Sequence, residues 1–163
     1  MTIPARPLGA AAAAKPFAPL VRKPGVVRVL VVDDSALVRR ILSDALSQHE
    51  DIEVVGTATD PYVARERIVQ LRPDVITLDI EMPRMDGLSF LSKLMKHFPI
   101  PVVVVSSLTP QNSETALRAL ALGAVEFIAK PGSSLGAAAI VDELALAVRS
   151  AAHARVVKRV DTP

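Results

Sequence analysis

The sequence contains no cysteine and few aromatic residues, and both shortages restrict what the protein can do. Without cysteine there is no disulfide scaffold, no zinc–thiolate site and no thiol nucleophile. Aromatic residues make up only 3% of the chain, which counts against the stacking surfaces that bind single-stranded nucleic acid. Hydrophobic residues make up 50%, so a core can form without covalent or metal crosslinks, and the cysteine-free composition is typical of a cytoplasmic protein.

The sequence also lacks an uncharged apolar run of about 18 residues, so we expect no insertion into a membrane. Its excess positive charge is confined to residues 1–25, which carry four basic residues and no acidic one. Residues 26–163 hold 15 basic and 17 acidic residues, so we expect no nucleic-acid partner for this part. Residues 1–25 are also rich in alanine and proline, which predicts a disordered basic tail.

From Val26 onward, short runs rich in valine and isoleucine alternate with amphipathic stretches. The runs are largely apolar on both faces, as buried parallel strands are, and they cover Arg28–Val32, Ile52–Ala58, Val75–Leu78, Val102–Val105 and Val125–Ile128. This fivefold alternation predicts a single α/β domain, a doubly wound parallel sheet with helices on both faces. We place the domain at residues 26–153 and interpret residues 154–163 as the beginning of a linker.

The intervening helices are predicted from apolar residues that recur at helical spacing, and we expect each such stripe to face the core. The stripes are Leu37, Val38, Ile41, Leu42, Ala45 and Leu46; then Leu88, Leu91, Leu94, Met95 and Phe98; then Ala116, Leu117, Leu120 and Ala121. A weaker helix covers Val63–Leu71, and a last one runs from about Ala137 to Ala154. The three histidines fall near predicted helix ends and indicate no metal or catalytic site.

Polar residues follow four of the five predicted strands. They are Asp33 and Asp34 after the first strand, Asp79 and Glu81 after the third, Ser106 and Ser107 after the fourth, and Lys130 after the fifth. Right-handed crossovers bring the carboxyl ends of parallel strands to one edge of the sheet, where ligands bind in such folds. We therefore expect acids, a hydroxyl and an ammonium group to converge there.

That combination is suited to phosphoryl transfer onto a carboxylate. Crowded carboxylates need a cation, and oxygen ligands favour a hard ion such as Mg²⁺, held by Asp33 or Asp34, by Asp79 and by a backbone carbonyl. Asp79 would attack phosphorus as a nucleophile. Lys130 and the Ser106 hydroxyl would hold the transferred phosphoryl oxygens.

Each of these residues also has a structural interpretation. Asp33, Asp34 and Ser35 precede a predicted helix and could cap it, and Ser106 could cap the next one. Asp86-Gly87 is a common turn signal. Joint placement at one sheet edge favours the chemical interpretation over these separate ones.

Four segments resemble the response-regulator receiver family. They are Val29–Ser35 (VLVVDDS), Leu78–Leu88 (LDIEMPRMDGL), Val105–Ser107 (VSS) and Ala129–Pro131 (AKP). The resemblance covers about residues 26–152 and implies a flavodoxin-like (βα)5 sheet with strand order 2-1-3-4-5. It further implies phosphorylation by a histidine kinase in a two-component system.

The resemblance also implies a role for each matching residue. Asp79 matches the phosphoacceptor, and the groups that bind Mg²⁺ with it are matched by Asp33, Asp34 and the backbone carbonyl of Glu81. The phosphoryl-binding pair is matched by Ser106 and Lys130, and the switch residues by Ser106 and Phe127. Pro131 matches a proline after a cis bond. Phe127 lacks the phenol hydroxyl that many members carry.

Three longer segments look like the receiver of chemotaxis protein-glutamate methylesterase: Asp79–Leu91, Pro101–Thr109 and Leu117–Pro131. In that family the receiver occludes an esterase domain until a chemotaxis histidine kinase phosphorylates it. The sequence ends at Pro163 and contains no esterase serine motif, so we expect a regulatory domain rather than a methylesterase. Whether it is a stand-alone regulator or the receiver part of a longer enzyme stays open.

Two other functions use the same residues. A Mg²⁺-dependent phosphohydrolase could use Asp79 as nucleophile and Glu81 as general acid, but such enzymes place the nucleophile after the first strand and add a substrate-capping insertion. A pure interaction module could keep the fold without phosphorylation. Turnover of small phosphate esters would indicate the first, and the absence of any phosphate adduct would indicate the second.

Overall fold

The computed structural model describes residues 23–81, 86–107, 110–130 and 134–154. Most of the predicted tail (1–25) and linker (154–163) lies outside the described residues, as does Pro131 with its predicted cis bond. Within the described part of the chain, no helix combines the length and apolar character needed to cross a membrane.

Across the described residues, five strands alternate with five helices, as the sequence predicts. The strands are β1 (Val27–Val32), β2 (Ile52–Ala58), β3 (Val75–Leu78), β4 (Val102–Ser106) and β5 (Glu126–Ala129). The helices are α1 (Ala36–Ser47), α2 (Pro61–Leu71), α3 (Gly87–His97), α4 (Pro110–Leu122) and α5 (Ser134–His153). β2 and β3 have the predicted bounds, whereas β5 lies one residue further along the chain than predicted.

The strands form one parallel sheet in the order β2-β1-β3-β4-β5, which confirms the predicted doubly wound α/β fold. Alternate residues of each central strand point to opposite faces, so the sheet separates two apolar cores. Leu30 and Val32 of β1 belong to the core beneath α2, α3 and α4. Val29 and Val31 belong to the core beneath α1 and α5.

Five residues of the predicted apolar stripes are exposed instead of buried among the residues that the structure describes. Leu37 and Leu117 each expose 68% of their surface, Phe98 exposes 48% and Leu120 exposes 40%, and Ala121 is exposed as well. Among the residues of α4 whose burial is described, Ala116 and Ala119 are buried, so the helix presents small side chains to the sheet and turns Leu117 and Leu120 outward. The predicted stripe of α4 is therefore wrong by about one position, because alanine side chains, rather than the larger leucines, fit the close contact between this helix and the sheet.

Candidate functional site

The register of β1 and β3 brings two carboxylates together at one sheet edge. Val32 pairs with Leu78 at the ends of these strands, and the Asp79 N–H donates a 3.0 Å hydrogen bond to the Val32 carbonyl. Asp33 and Asp79 follow these paired residues directly. Both side chains are buried, with 0% and 1% of their surface exposed. The predicted convergence of these two acids is present in the structure.

Lys130 reaches the two buried carboxylates from the end of β5. Its backbone N–H donates to the Ser106 carbonyl at 2.9 Å, which fixes the residue beside β4. Its Nζ lies 3.1 Å from Asp33 Oδ2 and 3.1 Å from Asp79 Oδ2. One ammonium group therefore bridges both acids.

The other oxygen of each buried carboxylate accepts a backbone hydrogen bond. Asp33 Oδ1 accepts from the Ser35 N–H at 2.8 Å, and Asp79 Oδ1 accepts from the Glu81 N–H at 3.0 Å. These bonds aim both Oδ2 atoms at the same small space, which also receives Lys130 Nζ. The loop after each strand thus orients the carboxylate as well as supplying it.

Asp34 completes a group of three carboxylates that could hold a cation. One oxygen from each of Asp33, Asp34 and Asp79 lies within 4.8 Å of the others, and Asp34 is exposed while the other two are buried. Asp33 Oδ2 is buried without a well-angled hydrogen bond, although Lys130 Nζ is 3.1 Å away. An under-satisfied buried oxygen and an all-oxygen donor set fit a hard divalent cation such as Mg²⁺.

The electrostatics of this group oppose ionisation of the central acid. Burial raises the pKa of Asp79 to about 6, with repulsion from Asp33 adding to it and the Glu81 N–H and Lys130 opposing it. Burial also raises the pKa of Asp33, against the Ser35 N–H and Lys130. Burial alone would lower the pKa of Lys130, but attraction to Asp79 and Asp33 outweighs it, so that pKa is raised. At neutral pH the cluster is therefore a carboxylate pair whose negative charge is only partly offset by one ammonium group.

Ser106 lies at the same edge and makes a contact that the sequence did not predict. Its side chain is fully buried, and its hydroxyl donates a 3.0 Å hydrogen bond to Glu81 Oε2. The resemblance to the receiver family had assigned only the backbone carbonyl of Glu81. Arg39 was also missed: its Nη1 donates to the Asp33 carbonyl at 2.8 Å and so braces the loop after β1. No sequence pattern specifies which rotamers these long side chains adopt.

Within the Asp33-Asp34-Ser35 triplet, the capping interpretation is confirmed for Ser35, whereas the chemical role of the two aspartates stays a prediction. Ser35 caps α1, since its hydroxyl oxygen accepts from the Val38 N–H at 3.2 Å. Asp33 points into the carboxylate cluster instead. Asp86 likewise caps α3, because its Oδ1 accepts from the Leu88 N–H at 3.1 Å. These caps determine where α1 and α3 begin after the ends of β1 and β3.

Phe127 lies outside the cluster, on β5. It is half-buried and packs against the core shared by α2, α3 and α4. Ser107 is also half-buried, next to Ser106 on the chain. The structure thus brings together Asp33, Asp34, Asp79 and Lys130, with Ser106 linked to the loop after β3 through Glu81.

Sequence comparison finds the same family over most of the chain. Residues 29–142 match the family model described as response regulator receiver domain. The chain is 58% identical over 133 residues to protein-glutamate methylesterase/protein-glutamine glutaminase 2 of Syntrophus aciditrophicus, covering 82% of this chain and 39% of that protein. It is 55% identical over 132 residues to the Salmonella typhimurium protein of the same kind, covering 80% and 38%. The chain therefore spans about two fifths of these curated relatives.

Solved structures of receiver domains are also similar to this chain. The response regulator domain of Thermotoga maritima CheB superposes with a TM-score of 0.73 at 44% identity, covering 80% of this chain and 98% of that one. The receiver domain of the putative regulator NarL from Mycobacterium tuberculosis gives a TM-score of 0.68 at 34% identity, covering 81% and 100%.

Proposed function

The chain belongs to the response regulator receiver domain family, and from this premise we propose that Asp79 accepts a phosphoryl group from a histidine kinase. One observation supports this above the others: a buried Asp79 carboxylate lies 3.1 Å from Lys130 Nζ and beside two further acids at the carboxyl edge of the sheet. A nucleophile, a fixed cation and a place for a metal ion are the parts that transfer to a carboxylate requires.

In the proposed reaction an Asp79 oxygen attacks the phosphorus of a phosphohistidine. The new P–O bond forms as the P–N bond breaks, and the departing histidine nitrogen keeps the electron pair. Attack needs the ionised carboxylate, and a pKa of about 6 leaves most of Asp79 ionised above neutral pH. Lys130 and the Ser106 hydroxyl would then bind the phosphoryl oxygens.

Asp33, Asp34, Asp79 and the Glu81 carbonyl would hold Mg²⁺, which would supply positive charge to the phosphoryl oxygens. Lys130 and a divalent ion would together offset most of the negative charge of Asp33, Asp34 and the phosphorylated Asp79. This assignment is supported by the all-oxygen donor group and by the under-satisfied Asp33 Oδ2.

Phosphorylation would act as a switch through Ser106 and Phe127. To bind the phosphoryl group, the Ser106 hydroxyl must leave Glu81, and Phe127 would turn towards the space that Ser106 vacates. Phe127 is half-buried on β5 and packs at the margin of the core, where its packing would change. The surface formed by α4, β5 and α5 would carry the change to a partner.

The receiver fold is regulatory, and kinship with the protein-glutamate methylesterases supports a chemotaxis pathway in the cytoplasm with a chemotaxis kinase as phosphodonor. We propose that residues 26–153 form this regulatory domain. The methylesterase activity in the relatives' names belongs to those whole proteins, and an esterase domain is the partner that this kinship suggests.

The test is intact mass after incubation with acetyl phosphate, with and without Mg²⁺, for wild type and Asp79→Asn. We expect a single phosphate adduct that requires Mg²⁺ and is missing from Asp79→Asn. A folded wild-type protein without an adduct would contradict the proposal and favour an interaction module. Continuous release of phosphate from small esters would instead favour the phosphohydrolase.

A further inference from the structure

A groove of about 450 Å³ lies between α2 and α3, and none of its lining residues belongs to the carboxylate cluster. Its floor includes Ile68, Phe90 and Leu94, which are buried members of the core on this face of the sheet. α2 packs on β1 and β2, whereas α3 packs against α4, so the two helices leave space between them. The volume is within the usual range for ligand-binding clefts.

The groove holds a large share of the aromatic residues of the chain. The sequence has one tyrosine and four phenylalanines, and Tyr62, Phe90 and Phe98 all line this groove. Tyr62 exposes 55% of its surface and Phe98 exposes 48%. Exposed aromatic side chains beside an apolar floor are typical of the residues that contribute most to protein–protein binding.

The charged residues that line the groove, Arg65 and Lys93, are both basic. Arg65, Lys93 and His97 are exposed, and the lining contains no acidic residue. None of the three forms an ion pair or a hydrogen bond within the part of the chain that the structure describes. Residues 26–163 have more acidic than basic residues, so this is a local exception that favours an anionic occupant.

The shape of the groove favours a peptide over a compact small molecule. The lining residues of α2 span two helical turns, from Pro61 to Ile68, and those of α3 span another two, from Phe90 to Phe98. Seven residues of helix extend about 10 Å, so the groove is a trough between two helices. Troughs of this kind bind amphipathic helices through apolar residues at helical spacing.

We propose that the groove between α2 and α3 binds a short acidic amphipathic segment of a partner protein. Its apolar side chains would lie between Tyr62 and Phe98, and its carboxylates would contact Arg65 and Lys93. This docking site is separate from Asp79 and does not depend on the proposed phosphorylation.

The experiment is a selection of random peptides of about 12 residues, roughly three helical turns, on the full chain. Counter-selection uses Arg65→Glu/Lys93→Glu. We expect enriched peptides to combine aspartate or glutamate with phenylalanine, leucine or tryptophan. Titration of one such peptide into isotopically labelled protein should shift the amide signals of residues 62–68 and 90–98.

Dissociation constants of the charge variants distinguish specific binding in the groove from general electrostatic attraction. Arg65→Glu/Lys93→Glu should bind the selected peptide at least about tenfold more weakly. Arg40→Glu/Arg118→Glu makes the same change of charge outside the groove and should bind as wild type does. Tyr62→Ala/Phe98→Ala should also weaken binding, and circular dichroism checks that each variant is folded.

Several results would overturn the docking site. They are enriched peptides without acidic residues, equal losses in the two charge variants, or shifted signals on another surface. Phosphatidylserine vesicles and ATP are tested in parallel. Binding of either that is lost in Arg65→Glu/Lys93→Glu, with no peptide bound, would assign the groove to a lipid surface or a nucleotide instead.

Discussion

At the scale of single residues, the Asp79 carboxyl lies where its own charge is disfavoured. An unfolded aspartate ionises near its ordinary pKa of 3.8, whereas burial and Asp33 raise the pKa of folded Asp79 to about 6. The stability associated with this group is therefore fully present below about pH 3.8 and is lost as the pH rises through about 6. The pKa of Lys130 is raised too, and its contribution persists until the pH exceeds its ordinary value of 10.5.

Replacing Asp79 by asparagine should consequently stabilise the metal-free protein at neutral pH. A shift from 3.8 to about 6 corresponds to an upper limit of about 3 kcal/mol. We expect urea denaturation in EDTA to show Asp79→Asn as the more stable protein at pH 7.5 and nearly equal to wild type near pH 3.8. Asp44→Asn, which removes an exposed carboxylate 3.8 Å from Arg40, should change stability little at either pH. Destabilisation by Asp79→Asn at pH 7.5 would contradict this account.

The Glu81 side chain competes with an incoming phosphoryl group for the Ser106 hydroxyl. Glu81 Oε2 accepts a 3.0 Å hydrogen bond from this hydroxyl, and the negative charge of Glu81 would also repel the phosphate. We expect Glu81→Ala to accelerate adduct formation from acetyl phosphate roughly three- to tenfold, since a charge-assisted bond at a partly exposed site is lost. Glu81→Gln, which keeps an acceptor but removes the charge, should be intermediate. A mass time course checks this, and a slower Glu81→Ala would show that the carboxylate assists transfer.

At the scale of elements, the predictable features are those that depend on local chemistry. The strands can be predicted from runs of valine and isoleucine, and the start of α1 from the cap at Ser35. The buried face of α4 could not be predicted in this way, because Ala116 and Ala119 pack close to the sheet while Leu117 and Leu120 point outward. Likewise, the Glu81–Ser106 contact joins the loop after β3 to the end of β4, 25 residues apart, and depends on tertiary geometry.

The start of α3 approaches the loop after β3 so closely that only glycine fits at position 87. A Cβ at Gly87 would lie 2.5 Å from Ile80 Cα and 2.8 Å from its carbonyl oxygen. Gly87→Ala must therefore displace backbone next to Glu81, and we expect a loss of stability of about 1–3 kcal/mol together with slower phosphorylation.

Gly56→Ala is the matched control for that substitution. Its Cβ would lie 3.6 Å from Leu30 Cδ1, an ordinary contact, and 2.7 Å from the tip of the Leu71 side chain, which can move aside. We expect a smaller loss of stability and unchanged phosphorylation for this variant. Equal effects of the two variants in denaturation and mass assays would show that the α3 start does not position the site.

At the scale of the whole molecule, the site links both cores. β1 and β3 lie at the centre of the sheet, with one core on each side, and the carboxylates at their ends are held by one ammonium group from β5. Charge placed at this edge therefore acts on the folded state as a whole, because no unfolded chain keeps Asp33, Asp34 and Asp79 together. A cation that binds the cluster should stabilise the entire domain.

We expect Mg²⁺ to raise the free energy of unfolding by about 2.7 kcal/mol once its free concentration is about 100 times its dissociation constant. The cause is binding to the folded state alone, where the ion offsets the burial and the mutual repulsion that raise the pKa of Asp33 and Asp79. Urea denaturation with MgCl₂, against NaCl of equal ionic strength, measures the effect without any phosphodonor. Asp33→Asn should remove most of it, whereas Asp44→Asn on α1 should retain it. A Mg²⁺ effect of equal size in wild type and Asp33→Asn would assign the ion to another part of the surface, and the phosphate adduct of Asp79 would then need a different source of positive charge.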